Sequence, residues 1–224
     1  MVHSSPVVVG GVVYVTSTDD NLYAFDAAGA TGCGGTPKTC QPLWTAYVGP
    51  ISGYSSAAVV NGIVYVAGAG KLLAFDALGT TGCSGTPKTC QPMWVGSPDP
   101  ASGSSSPAVA NGLVYVTGKR VQAFDAAGAT GCAAGICQPL WSGDLVGTEN
   151  RSSPAVANGV VYQADGDGNL RAFDAAGTTG CSGTPTWCTP LWSVSMGAGY
   201  SSPAVVDGIV YVGSLDHRLH AFGL

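Results

Sequence analysis

Ser152-Ser153-Pro154-Ala155-Val156-Ala157-Asn158-Gly159-Val160-Val161-Tyr162-Gln163 sets two short β-prone runs on either side of an Asn-Gly pair. Such a pair between apolar runs is a strong hairpin signal. A two-residue type I′ turn needs positive φ at both central residues, and Asn and Gly tolerate it. A second turn, Asp165-Gly166-Asp167-Gly168-Asn169, leads into Leu170-Arg171-Ala172-Phe173-Asp174, and Pro190-Leu191-Trp192 opens a fourth run. Proline suits the first residue of an edge strand, where its missing N–H leaves no ladder bond unmade. The segment reads as a four-stranded meander.

The same phrase begins at Ser4, Ser55, Ser105, Ser152 and Ser201, 47 to 51 residues apart. Its first turn recurs as Gly10-Gly11, Asn61-Gly62, Asn111-Gly112 and Asp207-Gly208. A repeat of this length made of strand-sized pieces signals a propeller or solenoid. Within the third run, Leu22, Leu72, Val121, Leu170 and Leu219 are always apolar, while Tyr23, Leu73, Gln122, Arg171 and His220 vary. A period of two places the first set on a buried face and the second on a tolerant one. Ala24, Ala74, Ala123, Ala172 and Ala221 stay small, as a close neighbouring backbone requires.

These features predict an all-β fold: a β-propeller of four-stranded antiparallel blades forming one domain over residues 1–224. The blades fall at approximately 4–50, 51–100, 101–147, 148–197 and 198–224. The Trp-bearing run starts only at Pro42, Pro92, Pro139 and Pro190. Five blades are therefore favoured, with the last lacking its outer strand. An unprotected edge invites pairing, so self-association through that blade is expected.

Only 9% of the chain is charged while 46% is hydrophobic, against a usual charged share of about 25%. Sheets buried on both faces account for that. No apolar run approaches the roughly 18 to 20 residues of a membrane helix, which argues against membrane insertion. Net charge is −5 and the basic residues are scattered, which disfavours nucleic acid as a partner. Met1-Val2-His3 has neither the charged nor the apolar region of a signal peptide.

The eight cysteines form four local pairs, Cys33/Cys40, Cys83/Cys90, Cys132/Cys137 and Cys181/Cys188, each between a Phe-Asp strand end and a Pro-Leu/Met-Trp start. Four local disulfides are favoured over a zinc site, whose ligands would have to come from separate repeats, and over free thiols. Disulfides imply an oxidising, extracytoplasmic compartment, secreted or at the cell surface.

The pattern Ser-Ser-Pro-Ala-Val, Gly-Val-Val-Tyr, Ala-Phe-Asp-Ala and Trp resembles the PQQ-like, quinoprotein-type β-propeller repeat over residues 4–224. The resemblance implies a docking element in which Trp ties adjacent blades together. Its members here would be Ala24, Asp26, Gly29 and Trp44; Ala74, Asp76, Gly79 and Trp94; Ala123, Asp125, Gly128 and Trp141; and Ala172, Asp174, Gly177 and Trp192. The chain departs from the family by inserting the Cys loop between the Gly and the Trp. PQQ-dependent dehydrogenases of this family are longer, hold Ca2+, and in many members stack the quinone on a disulfide between adjacent cysteines. This chain has no adjacent cysteines.

Catalytic and metal signals are weak. Asp165 to Asn169 lacks the ligand series of an EF-hand and reads as a turn. His217 and His220 read as surface residues, and the serines recur in every repeat as structural elements. No cofactor, metal or catalytic residue is expected. The leading reading is a non-catalytic scaffold that binds a protein or cell-surface partner through inter-blade loops, with Tyr47, Tyr54 and Tyr200 as candidate contacts. A lectin-like module binding glycans is the competing reading, and a PQQ-dependent dehydrogenase fragment ranks below both.

Overall fold

The computed structural model describes residues 2–50, 55–97, 105–147, 151–197, 199 and 201–223. Sheet one runs Val7–Val9, Val12–Ser17, Asn21–Asp26 and Trp44–Tyr47, antiparallel throughout. Sheet two repeats it with Ala58–Val60, Ile63–Gly68, Lys71–Asp76 and Trp94–Gly96. Sheet three has Ala108–Ala110, Leu113–Thr117, Arg120–Asp125 and Trp141–Asp144. Sheet four has Ala155–Ala157, Val160–Ala164, Asn169–Asp174 and Trp192–Ser195. Sheet five has three strands, Ala204–Val206, Ile209–Gly213 and Leu219–Gly223.

The first turn has its type I′ signature in the backbone: Asn158 and Gly159 have φ of 52° and 76°, and Asp207 and Gly208 have 48° and 74°. That turn fixes the register, and register decides which side chains share a face. Ala24 pairs with Trp44, Ala74 with Trp94, Ala123 with Trp141 and Ala172 with Trp192. The constant alanine thus lies beside the indole on the ladder.

Four buried clusters fill the spaces between successive sheets. Tyr14, Leu22, Ala24 and Trp44 of sheet one face Val64, Val66 and Phe75 of sheet two, and later pairs repeat the arrangement. Side chains fully withdrawn from water contribute about 2 kcal/mol each, so the stack is held by its sheet-to-sheet faces. Near the inner strands runs a polar seam. The amide of Ser5 donates to Ser56 Oγ at 2.9 Å, that of Ser56 to Ser106 Oγ at 2.9 Å, that of Ser106 to Ser153 Oγ at 2.8 Å, and that of Ser153 to Ser202 Oγ at 2.9 Å. The second serine of each pair is a rung between repeats.

The Cys loops extend the four-stranded plan. Each forms a small hairpin closed by a disulfide, Cys33–Cys40, Cys83–Cys90, Cys132–Cys137 and Cys181–Cys188. The second hairpin joins sheet one, the third joins sheet two and the fourth joins sheet three, making each of those sheets six-stranded. The joining pair is parallel, with Thr89 opposite Thr45, Ile136 opposite Val95 and Trp187 opposite Ser142. In these three sheets the Trp strand is therefore internal, clasped by the following repeat.

Candidate functional site

Two kinds of position compete for attention: those constant in every repeat and those that differ. Most of the constant polar groups are engaged internally, though among the described residues Ser55 Oγ, Ser105 Oγ and Trp94 Nε1 are buried without a hydrogen-bond partner. Asp76 ends its strand, and its carboxylate accepts the amides of Leu78, Thr80 and Thr81 at 3.1, 2.9 and 2.7 Å and the Thr80 hydroxyl. Partial burial pushes this carboxyl up, but the Thr80 hydroxyl and those amides outweigh it and hold it at about 2. At Asp174 the Thr178 hydroxyl leads, followed by the Thr179 amide, with the same result of about 2. These carboxylates tie turns rather than move protons.

The turn they tie carries the seat of the preceding indole. A Cβ on Gly79 would lie 2.8 Å from Trp44 Cγ, and at Gly128 and Gly177 it would lie 2.7 Å from Trp94 and Trp141 Cγ. Trp44 Nε1 donates to the Ala77 carbonyl at 3.2 Å, and Trp141 Nε1 to that of Ala175 at 3.1 Å. Tyr14, Tyr65 and Tyr115 donate their hydroxyls to the carbonyls of Ala77, Ala126 and Ala175 at 2.9, 2.9 and 3.1 Å. Desolvation, then the neighbouring Asp125 or Asp174, raises Tyr65 and Tyr115 to about 12.

The variable positions line shallow clefts beside the outer strands. In sheet three a cleft of about 310 Å³ is bounded by Arg120, Gln122, Gln138, Ser142 and Trp187. Arg120 Nε lies 2.8 Å from Asp144 Oδ1, its guanidinium sits 4.6 Å over the Trp187 ring, and Gln122 Nε2 donates to Ser142 Oγ at 3.0 Å. The Arg120 guanidinium is thus held between a carboxylate and an aromatic face, beside amide and hydroxyl groups. At sheet two, Tyr47, Ala69, Lys71, Gln91 and Pro92 line a cleft of about 220 Å³. Tyr47 is 66% exposed there; Tyr54 and Tyr200 lie outside the described residues. The Arg120–Trp187 pair was not singled out from sequence. Its one signal is that Trp187 stands outside the docking pattern, where other repeats have Thr39, Thr89 and Ile136.

Two clusters with catalytic residue types have other roles. Asp165, fully buried, accepts the Asn169 amide at 2.8 Å and pairs with Arg171 Nε at 2.7 Å. Its carboxylate is committed to an arginine. Ser214 and Asp216 both approach the same His220 nitrogen, Nε2, at 3.4 and 3.2 Å. A nucleophile triad needs the acid and the hydroxyl on opposite ring nitrogens, so this is a turn-stabilising set. Among the described residues no three His, Cys, Asp or Glu side chains converge as metal ligands.

The sequence profile of the family described as outer membrane protein assembly factor BamB matches residues 1–82 and 87–223. The chain belongs to this BamB-like family of PQQ-type repeat propellers. No curated protein matches. Among solved structures, the computationally designed Ika8 protein aligns at a TM-score of 0.63 and 15% identity. BamB from Moraxella catarrhalis aligns at 0.58 and 17%. Each alignment covers 98% of this chain and 57% of the other, so the chain spans little more than half the length of these propellers. At such identities the likeness shows a shared fold.

Proposed function

We propose that this chain is a non-catalytic, extracytoplasmic scaffold whose inter-blade loops and adjoining clefts hold a polypeptide partner. One observation carries the reading. The repeated Asp76, Asp174, Tyr14, Tyr65 and Tyr115 are engaged in internal hydrogen bonds, whereas repeat-to-repeat variation gathers at Tyr47, Lys71, Arg120, Gln122 and Trp187 along the clefts. Recognition on a rigid β frame resides in such variable positions. The family description, an outer membrane protein assembly factor, favours a polypeptide over a small molecule as the partner class. Four disulfides favour an oxidising compartment. The clefts differ in composition from repeat to repeat, which argues against one sugar site per blade.

The test places a photo-crosslinking residue at Tyr47, Arg120 and Trp187 in turn, with exposed Val8 on the inner strand as control, in the native extracytoplasmic fraction. A discrete adduct from the cleft positions and none from Val8 is expected. Adducts of equal pattern at all four positions, or turnover of an alcohol on adding PQQ and Ca2+, would overturn the reading.

A further inference from the structure

Register lines up one residue from each of three neighbouring strands in every clasped sheet. In sheet one the row is Tyr23, Thr45 and Thr89, in sheet two Leu73, Val95 and Ile136, and in sheet three Gln122, Ser142 and Trp187. Gln122 and Phe124 stand two apart on one strand and so share a face. Phe124 packs with Leu72 and Trp94 of sheet two, so the sheet-three row fronts the gap between sheets two and three. Leu73 shows what ordinary packing puts in such a place. It is buried in the core between sheets one and two, with Val95 packed against that core.

Sheet three has a buried amide and a buried hydroxyl there instead. Gln122 is 4% exposed and Ser142 7%. Withdrawing polar groups from water costs free energy that Leu and Val at the same positions would not. Natural folds break packing rules chiefly at functional sites, and this break coincides with the cleft of about 310 Å³. The groups that meet there supply donors. Ser142 Oγ accepts from Gln122 Nε2 at 3.0 Å, which leaves its own O–H to give. The Arg120 guanidinium lies 4.6 Å over the Trp187 ring and holds Asp144 Oδ1 at 2.8 Å from Nε. The Asp144 side chain is 74% exposed, so this ion pair is solvated and open to exchange. Sheet two also has a cation, Lys71, as the first residue of the corresponding strand, but its cleft has the apolar floor of Leu73 and Val95.

We propose that the sheet-three cleft is a binding site for a carboxylate borne on a short planar or apolar body. The carboxylate takes the place of Asp144 against Arg120 and accepts the Ser142 hydroxyl, while the body lies along Trp187 and Pro185, which line the same cleft. A cationic ligand would face Arg120, and a neutral one could not replace Asp144 as its counter-ion. Two sources carry this chemistry: a free acid, and the Asp or Glu side chain of a polypeptide. The site stands on the polar row and the cleft; only the second source rests on the polypeptide reading of the proposed function.

Hydrocinnamate, its neutral amide hydrocinnamide, and acetyl-Phe-Glu-amide are titrated into the intact oxidised chain, with the side-chain N–H chemical shifts of Arg120, Gln122 and Trp187 as readout. Saturable shifts at all three with hydrocinnamate and none with hydrocinnamide are expected. Arg120→Gln should weaken binding about 10-fold or more, since a charge-assisted bond is lost. Asp144→Asn removes the competing carboxylate and should tighten binding about 2- to 5-fold, which a purely structural ion pair would not do. Gln122→Leu with Ser142→Val rebuilds the sheet-two row and should abolish binding with no loss of thermal stability. The comparison of acid with amide needs no protein variant, so a misfolded double variant leaves the test intact. Acetyl-Phe-Glu-amide should bind at least as tightly as hydrocinnamate; binding of hydrocinnamate alone keeps the site and overturns the polypeptide source. The proposal is overturned by no saturable shift with either acid at millimolar concentration, by equal shifts with hydrocinnamide, or by a folded double variant that still binds. Photo-crosslinked adducts from the cleft would survive any of these results, so the polypeptide reading falls or stands separately.

Discussion

Gly79→Ala and Gly29→Ala form a matched pair that measures Trp docking by itself. Both positions have nearly the same φ, 63° and 61°. The cost of an L residue in the left-handed region, roughly 1–2 kcal/mol, is therefore common to both. What differs is what the new methyl meets. At Gly79 it would lie 2.8 Å from both Cγ and Nε1 of Trp44; at Gly29 it would touch only Lys38 Cδ at 3.9 Å. Trp44 is 2% exposed and wedged between Tyr14 at 6.0 Å and Phe75 at 6.4 Å, so it has no space to retreat into. Overpacking such a core costs about 1–3 kcal/mol, and displacing the indole loses its bond to Ala77, about 1 kcal/mol more. Gly79→Ala should thus destabilise by about 2–4 kcal/mol beyond Gly29→Ala. At about 2–4 °C per kcal/mol for a chain of this size, the melting points should differ by roughly 4–16 °C. The assay is thermal unfolding without reductant, followed by Trp fluorescence. A gap within about 0.5 kcal/mol would refute the docking argument.

Removing Cys83 and Cys90 together should cost about 2–3 kcal/mol by loop entropy over their separation of 7 residues. The loss should exceed that for Cys33 and Cys40, because only the Cys83 hairpin also clasps a neighbouring sheet; urea titration of the two double variants compares them. Ser153→Ala leaves the Ser106 amide without its acceptor and should cost about 0.5–1.5 kcal/mol, read by the same titration. Asp76 and Asp174 are held at about 2 against an ordinary 3.8, so their stabilisation is complete above that value and lost as pH falls from about 4 to 2. Urea midpoints should drop across that window, and Asp76→Asn with Asp174→Asn should flatten the drop. Tyr65 and Tyr115 stand at about 12 against an ordinary 10.0, so their contribution is complete below 10 and lost as pH rises through 12. Absorbance at 295 nm should show tyrosines that ionise only as the fold melts, and a titration complete near pH 10 would contradict it.

The alternating strands and tight turns were legible in the sequence because local chemistry determines them. Asn158-Gly159 can close a two-residue hairpin, and constant Leu22, Leu72, Val121 and Leu170 do lie on a covered face, whereas Leu219 is exposed and Leu73 and Gln122 at the variable position are buried, because inner sheets are covered on both faces. The family was legible from the Ala-Phe-Asp and Trp elements. The destination of the Cys hairpins was not. Their strands are two residues long, too short for a periodic signal, and their partners lie a repeat away. The serine pairs were visible as repeats, but their Oγ-to-amide links cross between repeats and leave no mark within one. The cleft around Arg120 needs Trp187, far along the chain, to form its aromatic wall.

Since three of the four disulfide hairpins clasp the sheet before them, the repeats overlap like roof tiles. A sheet is consequently complete only once the following repeat's hairpin is in place. Ending the array after sheet one, two or three would leave its last outer strand with an open edge, whereas gain or loss of a whole repeat inside the array keeps every clasp beside a strand.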